Sequence, residues 1–325
     1  LYSEAARSYL EDGLAYFCES PWACNALLLP KYDHNGMLKK AMRYCHDFRS
    51  LNAGTVGTAS PLHDVLRNLH RIRGKVFSLA DLLSGFNQLK LTPRAQRYTA
   101  HHTPLGLMCM YRAPFGLANM PATFCKLVTR IMEGVEGVLS YIDDLLCFAS
   151  SVEEMFERLD VVFTRLAEAN LAIGPPKLFI GYDVIAYLGY LVSEDGHQPN
   201  PNRVKSVLDM TVEKLLNKPK QKIPSWIGMV NTYASFLANS AQLLGIVRSA
   251  ALPGVDSRAI CSTLRFQTAF QILRQRLAQC SLNAVPDYEQ PFYIATDAAA
   301  TAGAAAVLYQ LSDTGKPRPI AFWSE

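Results

Sequence analysis

The pattern of apolar and polar positions changes several times along this chain. Apolar residues fall at helical spacing over residues 5–16, which predicts a short amphipathic helix. Two apolar runs, 26–29 and 42–47, read as strands joined by the polar turn Tyr32, Asp33, His34, Asn35 and Gly36. A third strand is expected at 76–82, apolar at every position except Ser78, Ala80 and Asp81. Helical spacing returns at 121–132. Two short apolar strands follow, 138–142 and 145–148, with only Asp143 and Asp144 between them. Ser151 and Glu154 have the spacing of a capping box, and Val152, Met155, Phe156, Leu159, Val162, Phe163 and Leu166 form the apolar stripe of the helix it would open. Strands interleaved with helices in this irregular order predict an α+β, palm-like domain rather than a regular βαβ winding.

From about residue 199 the pattern becomes helical, with periodic stretches at 226–237 and 262–277 and Pro- and Lys-rich connections before the first. A final strand pair, 292–296 and 304–310, has Asp297 at its expected turn. The sequence contains no internal repeat and no low-complexity tract.

Composition narrows the classes. The chain has 325 residues, half of them apolar and 18% charged, enough to bury real cores in two or three domains. The formal net charge of +4 is too small to argue nucleic-acid binding by itself. Two clusters say more: Arg67, His70, Arg71, Arg73 and Lys75, and then Lys214, Lys218, Lys220 and Lys222. Each suits phosphates, and each suits a solvated surface at least as well. The eight cysteines show no zinc-site spacing and read as free thiols of a reducing compartment. No apolar run reaches the roughly 20 residues of a membrane span, so no membrane partner is expected. The chain opens on Leu1 and closes in the apolar run Pro319, Ile320, Ala321, Phe322 and Trp323, and is expected to be part of a longer polypeptide.

Chemistry enters with the acids. Adjacent carboxylates at a hairpin tip, Asp143 and Asp144, repel each other and favour a cation there; taken alone, such a pair is more often a plain turn. Asp81 changes the balance. A carboxylate inside an apolar strand is unfavourable unless it is paired or holds a metal. If that strand lies beside the hairpin, the three acids can bridge two divalent ions about 3.5–4 Å apart. Hard oxygen donors point to Mg²⁺, with Mn²⁺ as a substitute.

Six segments then resemble the Pol polyprotein of gypsy-type long-terminal-repeat retrotransposons, in that family's order and spacing. They are Ser20-Pro21-Trp22, the run from Arg43 to Asn52, the run from Phe77 to Gln88, the run from Phe115 to Phe124, Tyr141-Ile142-Asp143-Asp144, and Tyr187-Leu188-Gly189-Tyr190. Departures from the family pattern at Ala80, Ala113, Cys125 and Ala299 remove no metal carboxylate. The resemblance implies a right-hand polymerase of fingers, palm and thumb followed by a truncated ribonuclease H-like α/β domain. The expected division is 1–198 for fingers and palm, 199–288 for thumb and connection, and 289–325 for the ribonuclease H fragment. It implies an RNA-directed DNA polymerase that copies an RNA or DNA template from a primer, using deoxynucleoside triphosphates and two ions on Asp81, Asp143 and Asp144.

Further roles follow from the same resemblance. Lys31 and Arg43 would grip the incoming triphosphate. Phe86 would close the sugar 2′ position against ribonucleotides; on pattern alone it reads as core. Phe115 and Gly116 would floor the nascent base pair, with Tyr141 beside the substrate. Lys177 would stand near the leaving pyrophosphate; a plain surface lysine fits that position equally well. Leu188, Gly189 and Tyr190 would form the primer grip. Asp297 would be the first carboxylate of an incomplete ribonuclease H site, whose further acids are expected beyond Glu325, so that no cleavage of a hybrid's RNA strand is expected. The resemblance also implies the rest of the Pol polyprotein as partner, leaves a dimer open, and places the protein in cytoplasmic particles with later nuclear delivery. A reading from another class is a non-catalytic, domesticated nucleic-acid-binding or assembly subunit that keeps the fold; retention of all three acids, both cations and the aromatic gate favours the enzyme.

Overall fold

The computed structural model describes residues 1–32, 38–58, 65–280, 282–299 and 303–324, without the side chains of 31, 32, 38–41, 43, 299 and 303. The chain forms two compact units. The first comprises Leu1–Asp64, Ser78–Cys147 and Val152–Gly181; the second comprises Val65–Phe77, Phe148–Ser151 and Tyr182–Glu325.

The first unit opens on the helix Tyr2–Glu11, shorter than the predicted 5–16. Gly13 takes a positive φ of +65°, and the amides of Gly13 and Leu14 turn back onto the carbonyls of Leu10 and Tyr9. That left-handed closure ends the helix, so Ala15–Phe17 leaves as a strand. It joins a five-stranded sheet in the order Ala15–Phe17, Gly106–Met110, His101–Thr103, Cys24–Tyr32 and Leu38–His46. The expected hairpin is its last pair, antiparallel with Leu29 opposite Arg43; the turn at 33–36 lies outside the described residues. One expectation fails here. Cys18 and Cys109 are joined as a disulfide, 91 residues apart, so not every cysteine is a free thiol. Cys24, Cys45, Cys125, Cys147, Cys261 and Cys280 remain free.

Most of a second sheet belongs to the same unit. Its order is Val138–Tyr141, Asp144–Ala149, Val76–Asp81 and Phe179–Tyr182. The predicted helix 121–132 is Met120–Ile131, which lies against Val138–Tyr141. The stripe helix is Val152–Glu168. It buries Met155, Leu159, Val162 and Leu166 but leaves Val152 and Phe156 exposed.

In the second unit a three-stranded meander, Ile185–Tyr187, Tyr190–Ser193 and Gly196–Pro199, leads into helices. The helix expected at 226–237 is Pro219–Asn231, with Pro224 inside it. Trp226 is its buried centre: the indole donates to the Val207 carbonyl at 3.1 Å and its ring lies 4.5 Å from that of Phe270, on the helix Leu264–Ala278. The chain closes with an antiparallel sheet of Tyr293–Ala299, Gly303–Leu311 and Pro317–Ser324. Asp297 was expected at the turn of its strand pair. It lies inside the first strand instead, paired with Ala305. No helix among the described residues is long and apolar enough to cross a membrane.

Candidate active site

The strand Val76–Asp81 is buried over its first three residues and ends on Asp81. It lies beside the hairpin strand Asp144–Ala149, and the next amide, Leu82, donates to the Asp143 carbonyl at 2.9 Å. The lone strand acid and the hairpin tip therefore meet at one end of the sheet's two central strands. Within the hairpin, Tyr141 pairs with Asp144. The turn is thus Ile142 and Asp143, and Asp144 begins the return strand, which corrects the expectation that both acids form the loop. Ile142 has φ +55°, a left-handed conformation rare for a β-branched residue. Such strain persists only where the surroundings impose it, and it gathers at functional sites.

The electrostatics follow from that convergence. Burial, then the charges of Asp81 and Asp144, push the Asp143 carboxyl up to about 6, with Lys177 opposing. Burial and Asp81 likewise raise Asp144, again against Lys177. One oxygen of Asp143, Oδ1, is buried without a hydrogen-bond partner. It sits where only glycine fits: a Cβ on Gly85 would lie 2.3 Å from that oxygen and 3.1 Å from Cζ of Phe124. Lys177, in the short turn Pro175–Lys177, donates from Nζ to both oxygens of Asp81, at 3.0 and 3.1 Å. Among the described residues no group of three or more His, Cys, Asp or Glu side chains is arranged around one ion position. The donor set nevertheless fits a hard divalent cation: three carboxylates repel one another, one oxygen is orphaned, and among the described residues the Lys177 ammonium opposes their charge.

Around the acids, Phe86 is 8% exposed in the turn Gly85–Gln88. Its ring lies 5.2 Å from that of Phe115 and 5.6 Å from that of Phe124. Phe115 is more open, at 39%. Gly116 has φ +102°, and a Cβ there would press on the His46 carbonyl at 3.4 Å and on Phe48 at 3.5 Å. Tyr141 is partly buried at the end of its strand. Lys31 and Arg43 stand on the two paired strands Cys24–Tyr32 and Leu38–His46, with their side chains outside the description.

Among the amides of these motifs that received no role from the sequence, Asn52 and Gln88 tie functional segments together. Asn52 donates to the Gly116 carbonyl at 2.8 Å and accepts from Ala118 N at 2.9 Å, holding the Phe115 loop. Gln88 donates to the carbonyls of Leu83 and Ala172 at 2.7 and 2.9 Å and accepts from Ala172 N at 2.6 Å. It thereby fixes the chain just after Asp81 to the loop that leads to Lys177. The available signal was a side chain able both to donate and to accept, set beside each functional segment.

In the second unit, Tyr187 pairs with Tyr190, so Leu188 and Gly189 form the turn, at φ +48° and +92°. Both positive values suit a primed hairpin turn. Tyr190 is 2% exposed, donates to the Thr232 carbonyl at 3.0 Å and stacks on Phe236; it anchors the turn while Leu188 and Gly189 are partly exposed. Asp297 is exposed. The basic clusters are partly committed within the chain: Arg73 donates to the Pro286 carbonyl and covers Tyr288, Lys75 pairs with Glu194 at 2.9 Å, and Lys214 and Lys220 donate to the carbonyls of Asp209 and Leu252.

Residues 29–192, just over half of the chain, match the family described as "Reverse transcriptase (RNA-dependent DNA polymerase)". The chain belongs to the reverse transcriptase family. Residues 263–325 match "RNase H-like domain found in reverse transcriptase". Similar proteins include the Pol polyproteins of three Drosophila melanogaster transposons. That of transposon 297 is 30% identical over 95% of this chain and 28% of its own length. That of opus is 30% identical over 97% and 32%, and that of gypsy 26% identical over 96% and 30%. The chain thus spans about a third of the length of these relatives, and the resemblance to gypsy-type Pol proteins holds. Among solved structures, a foamy viral protease-reverse transcriptase in complex with dsDNA superposes with a TM-score of 0.85 at 21% identity, covering 99% of this chain and 65% of that one. The same kind of protein in complex with an RNA/DNA hybrid gives 0.79 at 20% identity, over 99% and 42%. The expected α+β fold, a reverse transcriptase followed by a ribonuclease H-like region, is the fold of this chain.

Proposed function

We propose that this chain is the polymerase part of a retrotransposon Pol polyprotein and extends a primer on an RNA or DNA template by two-metal nucleotidyl transfer. The carrying observation is the tie between Leu82 N and the Asp143 carbonyl at 2.9 Å, which holds the acid strand to the hairpin tip. Asp81, Asp143 and Asp144 would hold Mg²⁺, for which Mn²⁺ can substitute; bound there, it makes the primer 3′-hydroxyl more acidic and offsets charge on the triphosphate. The chain's own residues do the rest. Phe86, locked between Phe115 and Phe124, leaves no room for a ribose 2′-hydroxyl. Lys31 and Arg43 take phosphate oxygens of the deoxynucleoside triphosphate, an ammonium and a forked guanidinium suited to that work. Lys177, already beside Asp81, supplies a proton donor near the departing pyrophosphate. The Leu188–Gly189 turn steadies the primer end. The solved relatives' complexes with dsDNA and an RNA/DNA hybrid support a template–primer duplex as the partner. The division at 1–198, 199–288 and 289–325, and Asp297 as the first ribonuclease H carboxylate, belong to the same proposal.

Primer extension on poly(rA)·oligo(dT) with Mg²⁺ and dTTP tests it. The unaltered chain should extend the primer, and Asp143→Asn should lose at least about 10³-fold in rate, as expected when an electrostatic centre of catalysis is removed. Duplex binding without extension in the unaltered chain would favour the binding-subunit reading instead.

A further inference from the structure

Away from the carboxylates, the first unit carries a pocket of about 470 Å³ lined by Pro21, Trp22, Pro93, Arg94, Arg97 and Tyr98. Trp22 is 59% and Tyr98 38% exposed. Their ring centroids lie 6.0 Å apart with planes inclined at 42°, so the two π-faces form an open notch. Arg94 and Arg97 stand three apart on the short helix Pro93–Arg97, a spacing that puts them on one side of it. Among the described residues neither is in an ion pair, and no acidic side chain lines the pocket. The notch is built rather than incidental. Ser20 Oγ donates to the Arg97 carbonyl at 2.9 Å and accepts from Trp22 N at 3.1 Å, pinning the Trp22 backbone to the loop that carries Arg97 and Tyr98.

We propose that this pocket is a stacking platform for an unpaired base of single-stranded nucleic acid, with Arg94 and Arg97 taking the flanking phosphates. The inference rests on the polymerase reading for its occupant, but it assigns a site that includes none of the metal carboxylates. Aromatic faces accept any base, and forked guanidiniums take phosphate without reading sequence, the combination a sequence-tolerant strand requires. A proline-rich peptide would fill the aromatic notch but leave two adjacent guanidiniums uncompensated. The charge of the lining therefore favours a polyanion.

The test uses the 325-residue chain with fluorescein-labelled oligo(dT) and oligo(rU), and with template–primer duplexes that are blunt or carry a long 5′ overhang. Trp22→Ala and Tyr98→Ala should each weaken single-strand and overhang binding by about fivefold or more, and Trp22→Phe and Tyr98→Phe should restore it. Arg94→Ala with Arg97→Ala should lower the slope of log affinity against log salt by about 1.4, for two phosphates on a single strand. Blunt-duplex affinity should be unchanged in every variant. Equal losses with oligo(dT) and oligo(rU) mean a platform that ignores the sugar; a loss confined to one assigns the site to that strand type. Unchanged affinities across the variants, or displacement of the oligonucleotides from Trp22 by a proline-rich peptide, overturn the proposal. Asp143→Asn separates the two readings: failure of extension with oligonucleotide binding intact concerns only the catalytic site.

Discussion

Asp143 and Asp144 hold charge that their surroundings resist, and this makes the site less stable than its neighbours require. The Asp143 carboxyl stands at about 6 against an ordinary 3.8. Between those values the folded chain binds more protons than the unfolded one, so stability falls as pH rises from about 4 through 6 and stays lowered above it. Asp143→Asn removes that liability. In chelator at pH 7.5 the variant should melt a few degrees above the unaltered chain, roughly 2–4 °C for each kcal/mol recovered. The gap should shrink toward pH 4 and close when Mg²⁺ is added to the unaltered chain. A variant that melts lower at pH 7.5 would show that Asp143 is stabilised where it sits. Phe86 gives the second outcome at this scale. Phe86→Ala opens the wall shared with Phe115 and Phe124, so the preference for dTTP over UTP should fall by about 10-fold or more, the scale on which pocket shape discriminates. Unchanged sugar selectivity would return Phe86 to the core.

At the scale of elements, what positions the acids is a set of short ties rather than a long helix or strand. Gln88 makes three hydrogen bonds across the chain after Asp81 and the loop before Lys177. Gln88→Ala should lower the extension rate by about 10-fold while the midpoint of thermal unfolding moves by only a few degrees; misplacement by a fraction of an ångström suffices for that. A rate equal to the unaltered chain would make Gln88 a bystander. These ties were the least legible part of the sequence, because an amide's partners are carbonyls that any residue can supply. The acid strand and its hairpin were legible, since Asp81 in one apolar run and the pair Asp143 and Asp144 between two others stand out together where neither would alone. The N-terminal helix was misjudged because Leu14 and Tyr16 stay in helical phase after Gly13 has already turned the chain. The helix Pro219–Asn231 begins before its predicted start because Pro219 fits the first turn, while Pro224, which the pattern assigns to a connection, lies inside the helix. The Cys18–Cys109 link joins residues 91 apart, and spacing alone does not reveal such a pair.

Over the whole molecule, exposed apolar side chains are spread along the described residues, and Tyr293, Ile294, Leu311 and Trp323 lie on the C-terminal sheet. Among the described residues its first strand, Tyr293–Ala299, is paired only with Gly303–Leu311. Ile294 is 66% and Tyr293 40% exposed, and Trp323 on the opposite edge is 52% exposed. An exposed apolar edge offers unpaired backbone groups to another chain, the arrangement that natural sheets blunt with lysine or proline. The sequence pattern marked this strand as apolar but placed Asp297 at its end, as though a charged turn closed it. With Asp297 inside it, opposite Ala305, the strand is longer than the pattern implied and runs to Ala299. The 325 residues tested alone should therefore self-associate with rising concentration, and Ile294→Lys should suppress that association in light scattering. Because the substitution lies outside the carboxylate site, the primer-extension rate per molecule should be unchanged at low concentration. Association that persists in Ile294→Lys would locate the contact elsewhere, with the exposed Val152 and Phe156 of the helix Val152–Glu168 as the next surface to charge.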